Sequence, residues 1–443
     1  MRPPVLFSKA SVARTLTSLL DCESSDIARL LPFFGLYGLI FILITMGNVA
    51  VQTLFVKKVG VAALPRYYGY IAMINLAAMM LYWWVLDRVS SRSIFITIVS
   101  FLVILTFGSW LSCRVMANAC TTVYGVLFIG REVASSMILL HFGNFLQQYL
   151  SKAEMSRTLP AIYSGGRLGG MVCAALMGLT TPFIAIMDYV GMVALLGLVA
   201  MGYVVWLDRS ALFINAPIST SIAPEEPVSP KPAPVLVASN RRFWVYMASN
   251  PIILWMSIAT FLFIMCRWFV NYQYNHVFDA EFATTQAFGQ NLSWITSGGL
   301  VLSLLLQVGG VTRLVKRFSL GPCFWAYHLV MMVMMAWLWL SPSLLIGVAS
   351  RFFGNEIRLG FRNPLSLLIT NQYPRQIRPK ARTFSLGMVI PLGTLLASWI
   401  LVVLTEMPIQ NPMGLIGAVA CGFGVLLLVS TFLLSRALNT LKV

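Results

Sequence analysis

From residue 31 to residue 435 the chain alternates long apolar runs with short polar breaks. Runs of spanning length fall at 31–55, 67–86, 94–111, 121–146, 158–181 and 186–207, then at 251–270, 287–309, 320–340, 343–369, 382–404 and 412–435. A bilayer core about 30 Å thick is crossed by about 20 helical residues, so each run reads as a membrane-spanning helix. The expected fold class is all-α: a polytopic membrane protein of twelve transmembrane helices in two six-helix repeats. The organisation follows. Residues 1–30 form an N-terminal segment, 31–207 the first half, 208–250 a linker, 251–435 the second half and 436–443 a tail. The linker carries Ala223 to Pro234, rich in proline and charge, which favours extended, unpacked chain.

Composition agrees. The chain is 58% hydrophobic and 10% charged, with a mean hydropathy of +0.82, too few charges for a water-facing surface. Its net charge of +17 does not indicate nucleic acid, because the basic residues are scattered through short loops. Their distribution sets the orientation instead. With the N-terminus in the cytoplasm, the outer loops hold only Lys57, Lys58, Arg66 and Arg114, so the positive-inside rule places both termini and the linker in the cytoplasm. The expected location is a bacterial inner (plasma) membrane, reached without a cleaved signal, since residues 1–30 show no signal-peptide pattern. No zinc-type Cys/His spacing, phosphate loop or dinucleotide glycine motif occurs. No metal, cofactor or catalytic residue is therefore expected, and the chain reads as a non-enzyme. Cys113 and Cys120 share one outer loop, and a disulfide and two free thiols are both open there.

The stretch from Ser343 to Ile369 stands out. In an unbroken α-helix Arg351, Asn355, Arg358 and Arg362 fall at i, i+4, i+7 and i+11, on one narrow stripe. Arg351 and Arg362 then stand about 16 Å apart along the axis, too far for all the arginines to snorkel. Each would cost about 2.5–3.5 kcal/mol facing lipid at mid-bilayer, so the stripe must face protein or a watery cavity. Arg131 and Arg267 are further arginines inside spans, Arg267 late in its span and so expected near the outer face. Arg167, in Ser164 to Gly170, is expected near the inner face, as a cavity residue or as the cap of a neighbouring helix. Glu132 and Glu356 are the two acids clearly inside spans. Glu356 is expected about 140° round the helix from Arg351, and each acid reads as a coupling group or as half of a structural ion pair. The arginine surplus favours an anion, since guanidinium forks bind phosphate and carboxylate. Asn48 and Gln52, one turn apart on the first span, are cavity-lining or helix-linking. His141 reads as a packing residue or a proton relay.

The halves also repeat. A shift of 224 places Gly130, Glu132, Gln148-Tyr149 and Leu168-Gly169 on Gly354, Glu356, Gln372-Tyr373 and Leu392-Gly393. Asp87, Arg88 and Arg92 follow the second span and resemble the inner-loop latch of the major facilitators, without that motif's glycines. The repeat resembles the architecture of that superfamily, with a solute site between halves near the midplane. More narrowly, Arg351-x6-Arg358, Asn363-Pro364, Tyr373-Pro374, Arg378-x3-Arg382, Gly387 and Pro391-Leu392-Gly393 resemble the nucleotide-transporter (ATP:ADP antiporter) family. Asn271 to Tyr274 and Leu54 to Gly60 add to the likeness, as does Ser164 to Gly170. It implies a secondary transporter exchanging nucleotides, with basic residues on the phosphates; a monomer is expected. The chain departs from the family late in the first span, where Asn48, Val51 and Gln52 replace charges. The expected partners are the lipid bilayer and a small anionic solute held by Arg351, Asn355, Arg358, Arg362, Arg131, Arg267, Asn48 and Gln52. The alternatives are a proton-coupled facilitator for a siderophore, peptide or amphiphile, and a non-transporting membrane scaffold.

Overall fold

A computed structural model describes residues 24–86, 88–116, 121–146, 148–150, 152–210, 249–373, 381, 384–408 and 410–440. Within them no strand occurs. The first six helices are α1 (Ser24–Lys58), α2 (Leu64–Leu86), α3 (Ser91–Val115), α4 (Thr121–Leu146), α5 (Lys152–Thr180) and α6 (Ile186–Arg209). The second set is α7 (Pro251–Glu281), α8 (Thr285–Leu305, continued through a π-helical turn into Val311–Phe318), α9 (Leu320–Leu340), α10, α11 (Ile390–Glu406, preceded by the π turn Ser385–Val389) and α12 (Pro412–Thr440). Helix α10 is composite: Leu344–Arg351, two π segments at Phe352–Glu356 and Arg358–Arg362, then Asn363–Thr370. Asp87, Cys120, most of the linker and the basic residues 375–380 lie outside the described residues.

Packing repeats between the sets. Helix α1 lies against α5 as α7 does against α11, and α3 against α6 as α9 against α12. The sets meet through α2 on α11 and α5 on α8, two contacts that interchange under the repeat. Nine helices among the described residues are long and apolar enough to cross a membrane by length and composition; α5, α8 and α10 are not among them. Those three carry polar and charged groups onto one another, and a span screened from lipid does not need an apolar surface all round.

The apolar cores are distributed unevenly. On the side where α1 ends, residues of both halves share one cluster, including Phe55, Tyr68, Ile186, Phe263, Phe278, Phe288 and Leu292. On the side of the chain termini each half has its own: Phe33, Phe95, Phe142 and Phe145 in the first, Phe324, Leu365, Ile369 and Leu434 in the second. The far side is therefore sealed across the halves, and the termini side is not sealed by a shared core.

Glycines set the closest approaches. A Cβ on Gly169 would lie 2.4 Å from the Gly38 carbonyl oxygen, where α5 crosses α1. Gly169→Ala should cost about 1–3 kcal/mol through overpacking, whereas Gly108→Ala, with nothing within 4 Å, should be neutral or slightly stabilising. Melting temperatures of the purified variants check both; equal stability of the two would contradict the crossing.

Candidate functional site

The arginine stripe does not survive the π segments. A π turn closes i→i+5 bonds and takes in an extra residue; here Ile357 N–H bonds to Phe352 O and Asn363 N–H to Arg358 O. Residues five apart are brought onto one face. Glu356, expected well round the helix from Arg351, lies with its Oε1 3.6 Å from Arg351 Nη2. The arginines in turn fan into different neighbours.

Arg351, only 1% exposed, points into the seam between halves. Its Nη1 donates to Gln52 Oε1 (3.4 Å) on α1 and to the Tyr274 hydroxyl (3.3 Å) on α7, and its Nη2 donates to Thr296 Oγ1 (3.1 Å) on α8. The polar chain runs on: Gln52 Nε2 donates to Asn275 Oδ1 (2.8 Å), Asn275 Nδ2 to Asn271 Oδ1 (2.7 Å), and the Tyr68 hydroxyl to the same Asn271 oxygen (3.0 Å). The pattern of Asn271, Tyr274 and Asn275 at i, i+3 and i+4 shows why these residues stay helical: each finds its partner across α7 or a neighbouring helix. Helix α7 accordingly runs on to Glu281, well past the end expected at 270. Arg267 is thus placed mid-helix, which corrects its expected position near the outer face. Half-buried, it donates from Nε and Nη2 to Asn355 Oδ1 (3.3 Å each), while Asn355 Nδ2 donates to Tyr274 (3.1 Å).

Arg362 turns the other way. Its guanidinium carbon sits 3.7 Å from the Phe263 ring centroid and its Nε donates to His328 Nε2 (3.3 Å). The second His328 nitrogen faces the Phe324 carbonyl at 2.7 Å, which assigns the proton to Nδ1 and leaves Nε2 as acceptor. Arg358 stays half-buried between these groups, with its Nε buried and without a hydrogen-bond partner; Arg362 Nη2 also lacks one. Arg267, Arg358 and Arg362 interact electrostatically with one another, and Arg267, Arg351 and Arg358 with Glu356. Three guanidiniums thus act on one carboxylate, with Arg362 beside Arg358 and Arg267.

In the first half Arg131 is 3% exposed and flanked by α1 at Gly47. Its Nη2 lies 3.0 Å from Glu132 Oε1 but out of line for a hydrogen bond, and its Nε has no partner either. Asn48 is half-buried on α1. Of the residues singled out in the sequence, the second-half arginines, Asn355, Glu356 and Gln52 come together, and no described contact joins Arg131, Glu132 or Asn48 to them. Sequence reasoning missed Tyr68, Thr296, Asn275 and His328, because a lone hydroxyl, amide or imidazole in an apolar run has no spacing signal.

The two ends differ in polar ties as well. On the far side Lys57 bonds Asp279 (2.5 Å), Arg66 pairs with Glu406, and Gln286 donates to the Thr181 and Ile184 carbonyls (3.2 Å each); all three join the halves. On the termini side Arg92 pairs with Asp208 and Arg88 stacks on Trp84 at 4.1 Å, both within the first half. His141 faces Tyr82 through Nδ1 (2.9 Å) and the Ser91 carbonyl through Nε2 (2.7 Å), a satisfied junction of α2, α3 and α4.

Comparison with solved structures fits this arrangement. The chain is similar to the nucleoside transporter NupG, with a TM-score of 0.64 and 14% identity over 91% of this chain and 98% of that one. It is also similar to a bacterial homologue of the human lysosomal transporter Spinster in an inward-facing, unoccupied conformation, with a TM-score of 0.60 and 14% identity over 92% and 96% of the two chains. The chain has the major facilitator fold. No family model matches the sequence, and no curated protein matches it.

Arg351 and Glu356 form a buried pair, and removing one partner of such a pair costs about 3–5 kcal/mol by stranding the other charge. Arg351→Leu and Glu356→Leu should each lower the melting temperature sharply, and the double variant should recover part of the loss. A double variant as unstable as the sum of the singles would show that the two groups act independently.

Proposed function

We propose that the chain is a secondary transporter for a solute bearing phosphate or carboxylate groups, working by alternating access of the two six-helix halves in a bacterial inner membrane. The observation that carries this reading is the charge imbalance: three guanidiniums around Glu356 and a fourth, Arg362, beside them, with donor atoms of Arg358 and Arg362 buried without a partner. A desolvated charge without a partner costs several kcal/mol, and an anion supplies the missing acceptors. In this reading Arg358 and Arg267 hold the anionic group, Asn355 orients Arg267, and Arg351 with Glu356 keeps the seam in register. Arg362 adds field from behind its aromatic cage. The sealed far side and the separate cores at the termini side correspond to a carrier open towards the cytoplasm, given the basic loops there. NupG is a nucleoside transporter; a nucleoside carrying phosphate joins that chemistry to the arginine surplus and to the nucleotide-transporter motifs of α10.

Thermal unfolding of the purified protein tests the reading. A nucleotide or sugar phosphate at 100 times its dissociation constant should stabilise the folded state by about 2.7 kcal/mol. Arg358→Gln should remove that shift. Stabilisation by uncharged nucleosides alone, or an anion shift unchanged in Arg358→Gln and Arg267→Gln, would overturn the assignment.

A further inference from the structure

Helix α10 has a carbonyl that its own backbone cannot satisfy. In a helix the Leu359 oxygen accepts from residue 363 or, in a π turn, from residue 364. The Asn363 N–H is engaged by Arg358 O, and residue 364 is proline, which has no N–H. An orphaned carbonyl in a membrane interior costs several kcal/mol. The donor comes from the other half: Arg167 Nη2 on α5 reaches Leu359 O at 2.5 Å. The same guanidinium donates through Nε to Ser303 Oγ on α8 (3.1 Å) and through Nη1 to its own Tyr163 carbonyl (3.3 Å). Space for this is made by Gly360, where a Cβ would stand 2.3 Å from the Ser303 carbonyl oxygen. The Leu359 side chain meanwhile packs against the apolar cluster of the first half.

We infer that Arg167 is a positioning residue: by capping the Leu359 carbonyl it fixes, from the first half, the π segment that presents Arg358 and Arg362 in the second. The presentation of those two arginines is then tied to the relative position of the halves. Displacing α5 from α10 withdraws the cap, and the segment loses what holds it in the π register. A plain tie between helices would not depend on Pro364. A cap does, because a backbone N–H at 364 would supply Leu359 O by an i→i+5 bond and make Arg167 dispensable.

Amide hydrogen exchange of the full-length protein in lipid nanodiscs, read over residues 356–363, decides the matter. Arg167→Gln should speed exchange there by at least about tenfold, the loss of one charge-assisted hydrogen bond, while Pro412–Thr440 on α12 stays unchanged. Adding Pro364→Ala should restore protection, and Arg167→Lys should fall between. Unchanged exchange in Arg167→Gln, or failure of Pro364→Ala to recover it, would overturn the inference. If Arg167→Gln does not accumulate in membranes, Arg167→Lys with and without Pro364→Ala carries the same comparison. Only the consequence for solute rests on the function proposed above. A nucleotide thermal shift weakened in Arg167→Gln and recovered with Pro364→Ala is expected. A shift that survives Arg358→Gln would sink the assignment of the anion to that arginine and leave the exchange result standing.

Discussion

A guanidinium inside a bilayer must be supplied with acceptors by the protein itself, and much of this molecule is arranged around that requirement. Arg351 meets it with an amide, two hydroxyls and a carboxylate drawn from four helices. Arg362 meets it only in part, with an imidazole and two aromatic faces, where the ring quadrupole substitutes for some of the lost hydration and Nη2 is left without an acceptor. Arg167 meets it with a carbonyl that has no other donor. In each case the partners come from several helices, so the polar contacts fix which helices are neighbours. Apolar packing alone does that poorly in lipid, since the surrounding tails are as apolar as the side chains.

The backbone makes the same demand. Every described π segment lies in the second half, in α8, α10 and before α11. In α10 each segment takes an extra residue into the turn and shifts the hydrogen-bond register, and Pro364 leaves the Leu359 carbonyl without a backbone donor. That register change turns Arg351 into the seam, Arg362 into the aromatic cage, and leaves Arg358 between them. The repeat at a shift of 224 carries Gly130 onto Gly354 and Glu132 onto Glu356, yet α4 is a plain α-helix where α10 is not. The halves share a plan, and the second departs from it where the arginines concentrate.

The all-helical membrane fold was legible, and nine of the twelve expected spans are long and apolar enough to cross a membrane among the described residues, because burial in lipid writes a strong signal over about 20 residues at a time. The need for α10 to face protein was legible from charge alone. Which way each arginine turns was not, since a stripe drawn at 3.6 residues per turn assumes an unbroken helix. The position of Arg267 was misjudged for a related reason. The polar run Asn271 to Asn275 reads as a loop, but its side chains satisfy one another and Tyr68, so the helix continues. The coupling of Arg167 to Leu359 joins positions 192 residues apart, and nothing local in either stretch announces the other.

The far-side closure and the polar seam constrain one another. Gln52 belongs to the first half, and Arg351, Asn275 and Tyr274 to the second, so the network exists only while the halves are together on that side. Separating them there takes Gln52 from Arg351 and Lys57 from Asp279, and exposes the shared apolar cluster around Phe55 and Phe278 to water. Each loss must be offset by new contacts at the termini side, where the cores are now distinct. The exposed ion pair of Arg66 and Glu406 contributes little to that balance, because solvent screens it. The buried groups dominate: separation there would take from Arg351, only 1% exposed, its Gln52 acceptor, while Tyr274, Thr296 and Glu356 stay with it in the second half.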